Sequence, residues 1–428
     1  MAGLTFSPGS PIRMPPKFDR AIVVKNVLLL TLGTLVAQAL MALSMLLTAR
    51  QLGSMRFGEY AASFSATGLM SVLFNLGLDT WLLQRGSCDP EKLGALTGSA
   101  FTFKALMGIP WILGVVWFLP HLNSQTFTAQ LVLISALSVW VESFFATGLS
   151  VFRTLLLNHL TALLLVLARG GVLLATITLI LLDVKNSMIY ALVRLVVAIL
   201  AVLVSLLFIP IKPKIHSLNM LKIAAQESAP FALSDIFAFI YLQADTTIAA
   251  IFLGKEEVGL YAPASSFINA LFVIPNAWFF VAVPILVRML KDNERPFHRI
   301  LSLTGAGFAA IGVALWLSVR YASSVLPAVL GESFERSGYL LTILSPILLL
   351  KSCNFAAAAI LVSVGWQNLR VYAQAVSAIA NVVLNLVIIR RLGITGVAMA
   401  YVISEAILLI GYVGLVIKWM RGRCPLVA

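Results

Sequence analysis

The stretch DTTIAAIFLGKEEVGLYAPASSFINALFVIPNAW, residues 245–278, contains a decapeptide that occurs twice in the chain. Its centre, LGKEEVGLYA (253–262), repeats LGSMRFGEYA (52–61), with Leu, two Gly, Tyr and Ala in the same positions. The two copies lie 201 residues apart. A helix–turn–helix pattern repeated at this distance predicts that the chain contains two copies of one structural unit.

The composition excludes a soluble globular protein. Of the 428 residues, 60% are hydrophobic and 11% are charged, and the mean hydropathy is +0.99, so the chain has too little polar surface to cover itself. The three cysteines lie far apart without a CxxC pair, which indicates neither a disulfide framework nor a zinc site. The net charge of +13 comes from basic residues at the ends of apolar runs, which favours a membrane protein over nucleic-acid binding.

Twelve apolar runs are each about 20 residues long, which is enough for an α-helix to cross a hydrocarbon core. Helices are the expected spanning element because every backbone polar group in lipid must be hydrogen-bonded internally. The predicted spans are 26–48, 58–83, 95–119, 127–150, 158–181, 188–210, 229–252, 260–286, 299–322, 338–362, 369–389 and 395–417. We therefore predict an all-α polytopic membrane protein of two six-helix bundles, related by a parallel repeat about an axis along the membrane normal.

The basic residues predict the orientation of these helices. Segments that face the cytoplasm when the amino terminus is inside carry 18 lysines and arginines, against eight on the other side, which favours two cytoplasmic termini. The segment 211–228 has the pattern of an amphipathic surface helix, with Ile215, Leu218, Leu221 and Ile223 towards lipid. The predicted divisions are a flexible cytoplasmic tail (1–24), an amino-terminal bundle (25–210), a cytoplasmic linker (211–228), a carboxyl-terminal bundle (229–418) and a second cytoplasmic tail (419–428).

Eight charged residues lie within the predicted spans away from the loops: Lys104, Arg169, Arg194 and Lys351, and the acids Glu142, Asp235, Asp245 and Glu405. A further acid, Asp79, lies nearer the end of its span. A charge at the bilayer centre is costly, so such residues normally face a protein interior or a water-filled cavity. In one hypothesis the cations line a cavity and bind an anionic substrate group, to which arginine donates bidentate hydrogen bonds. In the other hypothesis they pair with the acids and fix the helix register.

The sequence carries no pattern typical of an enzyme. Its four histidines are scattered without HExxH or paired-ligand spacing, and neither a Walker A nor a dinucleotide-binding glycine motif occurs. The predicted loops are too short to hold a soluble catalytic domain. We therefore predict no catalytic residues, no metal site and no cofactor. The alternative from another class is a membrane-embedded polysaccharide polymerase or ligase, for which a large outer loop is expected.

Three blocks resemble the polysaccharide transporter family of lipid-linked oligosaccharide flippases, within the multidrug, oligosaccharidyl-lipid and polysaccharide exporter superfamily. They are LGSMRFGEYA followed by FNLGLDTWLLQRG (74–86), ADTTIAAIFLGKEEVGLYAPASSF (244–267) and NVVLNLVIIRRLGITGVAMAYVISE (381–405). In the third block, Asn385 and the small residues after it permit close helix packing. The first half of the chain lacks a clear copy of this block. The resemblance implies two bundles that face each other across a V-shaped central cavity, and alternating access by rocking of 1–210 against 225–428.

The resemblance also implies a function. Family members are expected to move polyprenyl-pyrophosphate-linked oligosaccharide from the inner to the outer leaflet of the bacterial cytoplasmic (inner) membrane, for assembly of O-antigen, capsule or exopolysaccharide. The expected partners are this lipid-linked oligosaccharide, membrane lipids, a polysaccharide polymerase and chain-length machinery, and no nucleic acid.

In this hypothesis the buried charges divide into two roles. The residues expected to bind pyrophosphate or sugar are Lys104, Arg169, Arg194 and Lys351, and those expected to act in gating or in H+ or Na+ coupling are Glu142, Asp235, Asp245 and Glu405. The alternative within the same superfamily is a cation-coupled multidrug antiporter, whose cavity would be dominated by acidic residues.

Overall fold

The structure, a computed structural model, describes residues 20–211, 213, 218–291 and 297–422. Within these ranges the regular elements are helices and no strand occurs. The amino-terminal half contains α1 (Arg20–Met70), α2 (Val72–Asn75), α3 (Leu78–Cys88), α4 (Leu93–Leu122), α5 (Ala129–Thr154), α6 (Asn158–Leu181) and α7 (Ser187–Phe208). The carboxyl-terminal half contains α8 (Leu218–Phe252), α9 (Lys255–Leu271), α10 (Val273–Lys291), α11 (Phe297–Leu330), α12 (Glu335–Leu344), α13 (Pro346–Ser363) and α14 (Gln367–Gly422).

Nine helical stretches of the described chain are long and apolar enough to cross a membrane. The helices overlie the predicted spans, but α14 contains two of those spans, and α1 contains the span 26–48 and the first part of the span 58–83. In each helix the two parts are separated by a glycine with non-helical backbone angles, Gly53 in α1 and Gly393 in α14. A straight helix of 51 residues would be about 75 Å long, more than twice the hydrocarbon thickness of about 30 Å. The count of twelve spanning helices stays a prediction.

The ends of the chain differ in part from the predicted tails. Helix α1 begins at Arg20, inside the segment predicted as a flexible tail (1–24), and α14 continues to Gly422, inside the predicted tail 419–428. The rest of both predicted tails lies outside the described residues.

The first glycine of each decapeptide makes the same turn. Gly53 has φ 73° and ψ 169°, and Gly254 has φ 94° and ψ 177°. Glycine is the residue that adopts positive φ without steric penalty. The helices that follow also end at equivalent positions, Met70 and Leu271, which again lie 201 residues apart. The repeat seen in the sequence is therefore a repeat of backbone conformation.

The second glycine of each decapeptide lies where the two copies touch. A Cβ atom on Gly58 would lie 1.6 Å from the carbonyl oxygen of Lys255, and a Cβ atom on Gly259 would lie 1.8 Å from the carbonyl oxygen of Ser54. The seventh position of each decapeptide thus packs on the third position of the other. Such reciprocal contacts are the mark of a two-fold-related interface, here formed between the two halves of one chain.

The two halves also meet about 30–40 Å along α8 from the second decapeptide. Leu76 and Gly77 both have positive φ, of 43° and 70°, where the chain passes from α2 to α3. A Cβ atom on Gly77 would lie 2.6 Å from the backbone nitrogen of Ala232 in α8. Close by, the indole Nε1 of Trp81 donates a 2.9 Å hydrogen bond to Glu227 Oε2.

The surface helix predicted for 211–228 is wrong for the residues that the structure describes. Residues 218–228 form the first turns of α8, in one continuous helix with the predicted span 229–252. Leu221 is half-buried against an apolar cluster of the amino-terminal half that includes Leu78 and Trp81, whereas Ile223 is exposed. Apolar side chains pack equally well on lipid and on an apolar protein surface. The amphipathic pattern alone therefore does not distinguish a helix on the membrane surface from one that packs on the other half of the protein. Ile215 lies outside the described residues.

Replacing Gly58 by Ala should destabilise the protein by about 1–3 kcal/mol, because a methyl group there has to displace the backbone of the other decapeptide. Gly68→Ala is the matched control on the same helix, since nothing lies within 4 Å of that position and alanine favours the helix. Thermal unfolding of the detergent-purified protein measures both effects. Equal melting temperatures for the two variants would contradict the close contact.

Candidate functional site

Seven of the eight charged residues predicted for the site fall into three groups in the structure. We call Glu142, Arg169 and Arg194 the arginine cluster. Asp79 and Lys104 form the Lys104 pair. The carboxylate cluster consists of Asp245, Lys351 and Glu405, in which the Lys351–Glu405 ion pair lies within electrostatic range of Asp245. The four predicted substrate-binding cations therefore do not converge on one place, because they lie in three separate groups.

The arginine cluster joins three helices of the amino-terminal half. Glu142 on α5 accepts hydrogen bonds from Arg194 on α7, at 2.8 Å from Nε and 3.3 Å from Nη2. Arg169 on α6 lies farther from the same carboxylate, with 3.9 Å between Nη1 and Oε2. The Arg194 guanidinium also stacks 4.1 Å from the ring centroid of Phe64, which holds its plane in place.

One carboxylate therefore serves two guanidiniums, and the arginine cluster has a net charge of +1 with all three groups ionised. The Arg169 side chain is 30% exposed and that of Glu142 is 25% exposed. Besides its long ion pair, Arg169 donates from Nη1 to Met41 Sδ at 3.8 Å, a weak acceptor. The guanidinium of Arg169 therefore retains N–H donors that an anion can bind.

A cavity of about 220 Å³ opens beside the arginine cluster, between α5, α6 and α7. The three charged residues form its polar end. The rest of its lining is apolar, namely Phe145, Ala146, Leu149, Leu165, Ala168, Val172, Val197, Ala198 and Ala201. Such a cavity, mostly apolar with a few converging polar groups, is typical of a ligand site.

The Lys104 pair is closed to ligands. The Lys104 side chain is 0% exposed, and its ammonium lies 2.9 Å from both Asp79 oxygens, 2.9 Å from Thr147 Oγ1 and 3.1 Å from the Ser143 carbonyl oxygen. An ammonium has three hydrogens, so these acceptors occupy all of them. For Lys104 the geometry favours the pairing hypothesis over substrate binding. Asp235, half-buried on α8, lies within electrostatic range of this pair.

The carboxylate cluster lies inside the carboxyl-terminal half. Glu405 on α14 is 0% exposed, and it accepts from Lys351 Nζ at 2.8 Å and from Asn354 Nδ2 at 2.8 Å. Asp245 on α8 accepts from Asn385 Nδ2 at 2.7 Å and from the Tyr261 hydroxyl at 3.4 Å. Two carboxylates and one ammonium give this cluster a net charge of −1 when all are ionised.

Asparagines complete the carboxylate cluster, and their role was missed in the sequence. The sequence pattern predicts only close helix packing for Asn385, but its amide donates to Asp245 and also to Asn381. The Oδ1 atoms of Asn354 and Asn385 are buried without a hydrogen-bond partner among the described residues. Amides four residues apart, as at 381 and 385, share one face of a helix, and this polar face in an apolar span was the available signal.

Within the described residues, no group of three or more His, Cys, Asp or Glu could hold a metal ion. The arrangement consists of ion pairs, amide hydrogen bonds and an amphipathic cavity. These groups can bind and release ions or charged headgroups.

Comparison with known proteins decides the family. The family model described as "Polysaccharide biosynthesis protein" matches residues 23–290. The chain belongs to this polysaccharide biosynthesis family. The resemblance stated from the sequence motifs is thereby confirmed.

Individual relatives of this family member agree with that assignment. The chain is 24% identical over 368 residues to "Probable low-salt glycan biosynthesis flippase Agl15" of Haloferax volcanii, covering 84% of this chain and 76% of that protein. Its fold is similar to that of the lipid II flippase MurJ in an inward closed conformation, with TM-score 0.75, 15% identity, and coverage of 91% and 87% of the two chains.

An inward-facing multidrug resistance MATE transporter of the MOP superfamily is also similar, with TM-score 0.67, 15% identity, and coverage of 90% and 96%. The predicted all-helical, two-bundle transporter fold is confirmed. This family member is a multi-pass membrane protein.

Asp79→Asn should lower the free energy of unfolding by about 3–5 kcal/mol, because it leaves the buried Lys104 ammonium without its carboxylate. The double variant Asp79→Asn, Lys104→Met should recover most of this loss, since an apolar replacement of both partners is close to neutral. Thermal unfolding in detergent measures both. A substrate-binding role for Lys104 would instead require the single variant to keep its stability.

Proposed function

We propose that this protein is a flippase that moves polyprenyl-pyrophosphate-linked oligosaccharide from the inner to the outer leaflet for assembly of cell-surface polysaccharide. The observation that carries the proposal is the arginine cluster, where two guanidiniums share one carboxylate beside a cavity. The family assignment and a relative named as a glycan biosynthesis flippase support it. The substrate would be the lipid-linked oligosaccharide, with membrane lipids around the protein, and a polymerase and chain-length machinery would use the product.

The physical task matches these features. A pyrophosphate and its sugars cannot cross hydrocarbon unaided, whereas the lipid tail can stay in the bilayer while the headgroup passes through protein. Arginine binds phosphate oxygens with two parallel N–H donors and stays charged at every physiological pH. In this proposal Arg169 makes the first contact with the pyrophosphate, and Arg194 supports it.

Alternating access fits the two contacts between the halves. The basic residues favour an orientation in which both termini lie on the cytoplasmic side of the cytoplasmic (inner) membrane. In this orientation the contact at Gly58 and Gly259 closes the outer side. The contacts of Gly77 with Ala232 and of Trp81 with Glu227 close the inner side. We propose that each contact opens in turn as the two halves rock. The first turns of α8 pack on the amino-terminal half. Opening of the inner side therefore requires these turns to separate from that half.

The carboxylate cluster is the proposed coupling site. Its net charge of −1 and the two buried amide oxygens of Asn354 and Asn385 that lack a partner among the described residues suit a small cation. Oxygen atoms of carboxylates and amides are the ligands of hard cations, and a carboxylate takes a proton equally well. We propose that H+ or Na+ enters beside Asp245 and that its release is linked to the change of access.

A cation-coupled multidrug antiporter is the second candidate, because the fold is also that of MATE transporters. An antiporter that exports cationic compounds would need an acidic binding cavity. The cavity found beside the arginine cluster has the opposite charge, which favours the flippase. Cation export by the protein in an efflux-deficient strain, without movement of lipid-linked oligosaccharide, would support the antiporter.

Arg169→Ala should slow translocation of labelled lipid-linked oligosaccharide in proteoliposomes by about tenfold or more, the effect of losing a hydrogen bond to a charged group. Arg169→Lys keeps the positive charge but loses the two parallel N–H donors of the guanidinium, so an intermediate translocation rate is expected. Arg320→Ala is the control, since that arginine is exposed on α11. Full-rate translocation by Arg169→Ala would refute its assigned role.

Asp245→Asn should abolish the acceleration of transport by an ion gradient, because a neutral amide neither binds a proton nor neutralises a bound cation. The transport rate without a gradient should remain measurable. The assay imposes a pH gradient or a Na+ gradient separately across the same proteoliposomes. The wild type is expected to respond to one of the two. Acceleration that persists in Asp245→Asn would place the coupling ion elsewhere.

A further inference from the structure

The cavity beside the arginine cluster has two chemically different ends. Its polar end carries a net charge of +1, from Glu142, Arg169 and Arg194. Its walls are apolar side chains of α5, α6 and α7, with Phe145, Leu149 and Val172 among the bulkier ones. A ligand that fills both ends has to combine an anionic group with an attached apolar chain.

The size of the cavity limits the ligand further. Sites for drug-sized ligands have volumes of about 300–1,000 Å³, and this cavity has about 220 Å³. It can hold one charged group with a short apolar segment, but not a chain of sugar rings. Sugars would also leave their hydroxyl groups facing apolar walls, without hydrogen-bond partners, which is unfavourable.

Glu142 already occupies the position of an anion. Its carboxylate accepts from two nitrogens of the Arg194 fork, which is how a phosphate is bound by arginine. Comparison with the Lys104 pair distinguishes this from a structural ion pair. Lys104 is fully buried with every ammonium hydrogen occupied, whereas Glu142 and Arg169 are partly exposed and 3.9 Å apart.

We infer that Glu142 is a resident substitute for the substrate's phosphate, and that the cavity takes the phosphate together with the first apolar segment of its lipid chain. This inference rests on the proposed function and assigns that function's headgroup site. The incoming phosphate displaces the Glu142 carboxylate from Arg194 and Arg169, and the oligosaccharide stays outside the cavity. Glu142 keeps the two arginines partly neutralised between transport cycles, so the empty site does not require a bound anion.

Binding of a short-chain analogue tests this directly, without transport. Farnesyl pyrophosphate, inorganic pyrophosphate and farnesol are titrated calorimetrically into the detergent-purified full-length protein. The wild type should bind farnesyl pyrophosphate more tightly than either of the other two probes. Glu142→Gln removes the competing charge, so this variant should bind farnesyl pyrophosphate about tenfold more tightly than the wild type.

The apolar half of the cavity has its own variant. Ala201→Phe fills the space between α7 and its neighbours at a half-buried lining position. It should weaken binding of farnesyl pyrophosphate while leaving binding of inorganic pyrophosphate unchanged. Equal binding of farnesyl pyrophosphate by Ala201→Phe and the wild type would refute the apolar subsite.

A stability measurement covers the case in which Glu142→Gln folds poorly. That variant leaves two cations without a carboxylate and should melt at a lower temperature than the wild type, and farnesyl pyrophosphate should restore most of the difference. Asp79→Asn is the matched control, because it also removes a carboxylate from a buried cation, but neither Asp79 nor Lys104 lines the cavity. Equal rescue of both variants, or no rescue of Glu142→Gln, would overturn the inference.

The outcome is separable from that of the proposed function. Binding with the stated dependence on Glu142 and Ala201, in a protein that moves no lipid-linked oligosaccharide, would support the site and refute the flippase. Translocation by a Glu142→Gln variant that binds farnesyl pyrophosphate no more tightly than the wild type would refute the site and support the flippase.

Discussion

The need to neutralise charge away from water governs the interior of this protein. In a chain with 60% hydrophobic residues, each ionised group inside the helical body requires a partner or a ligand. The Lys104 pair is balanced and closed. The arginine cluster has one positive charge in excess and the carboxylate cluster one negative charge. The two unbalanced clusters lie in different halves and carry opposite net charges when their groups are ionised.

Duplication explains the frame of the molecule but not these charges. The glycine turns at Gly53 and Gly254 are the same in both halves, because a helix pair of this kind requires positive φ at its turn. The charges, by contrast, differ between the copies. The residue equivalent to Asp245 is Ser44, which is buried and shares a 2.9 Å hydrogen bond with Thr176. The two copies therefore share the contact between the halves but differ in charge at this buried position.

The sequence predicts the frame well for physical reasons. Span length, glycine turns and the repeat are local properties, so residues such as Gly53 identify them directly. Pairing between helices is not local: Lys104 and Asp79 meet across α4 and α3, and Asn385 reaches Asp245 from α14 to α8. The sequence identified most of these residues as buried and polar, yet gave no means to assign partners. The first turns of α8 are predicted wrongly as a separate surface helix for a related reason, because Leu221 can pack equally well on lipid or on protein.

The repeated tyrosine connects the interface between the halves to both clusters. Two residues after the contact glycine, Tyr60 lies within electrostatic range of Arg194 in the arginine cluster, and Tyr261 donates to Asp245 in the carboxylate cluster. One decapeptide thus holds a glycine at the contact between the halves and a tyrosine at the charge cluster of its own half. A tyrosine hydroxyl can donate to an acid and accept from a cation. Tyrosine at this position of the decapeptide is therefore compatible with clusters of opposite charge.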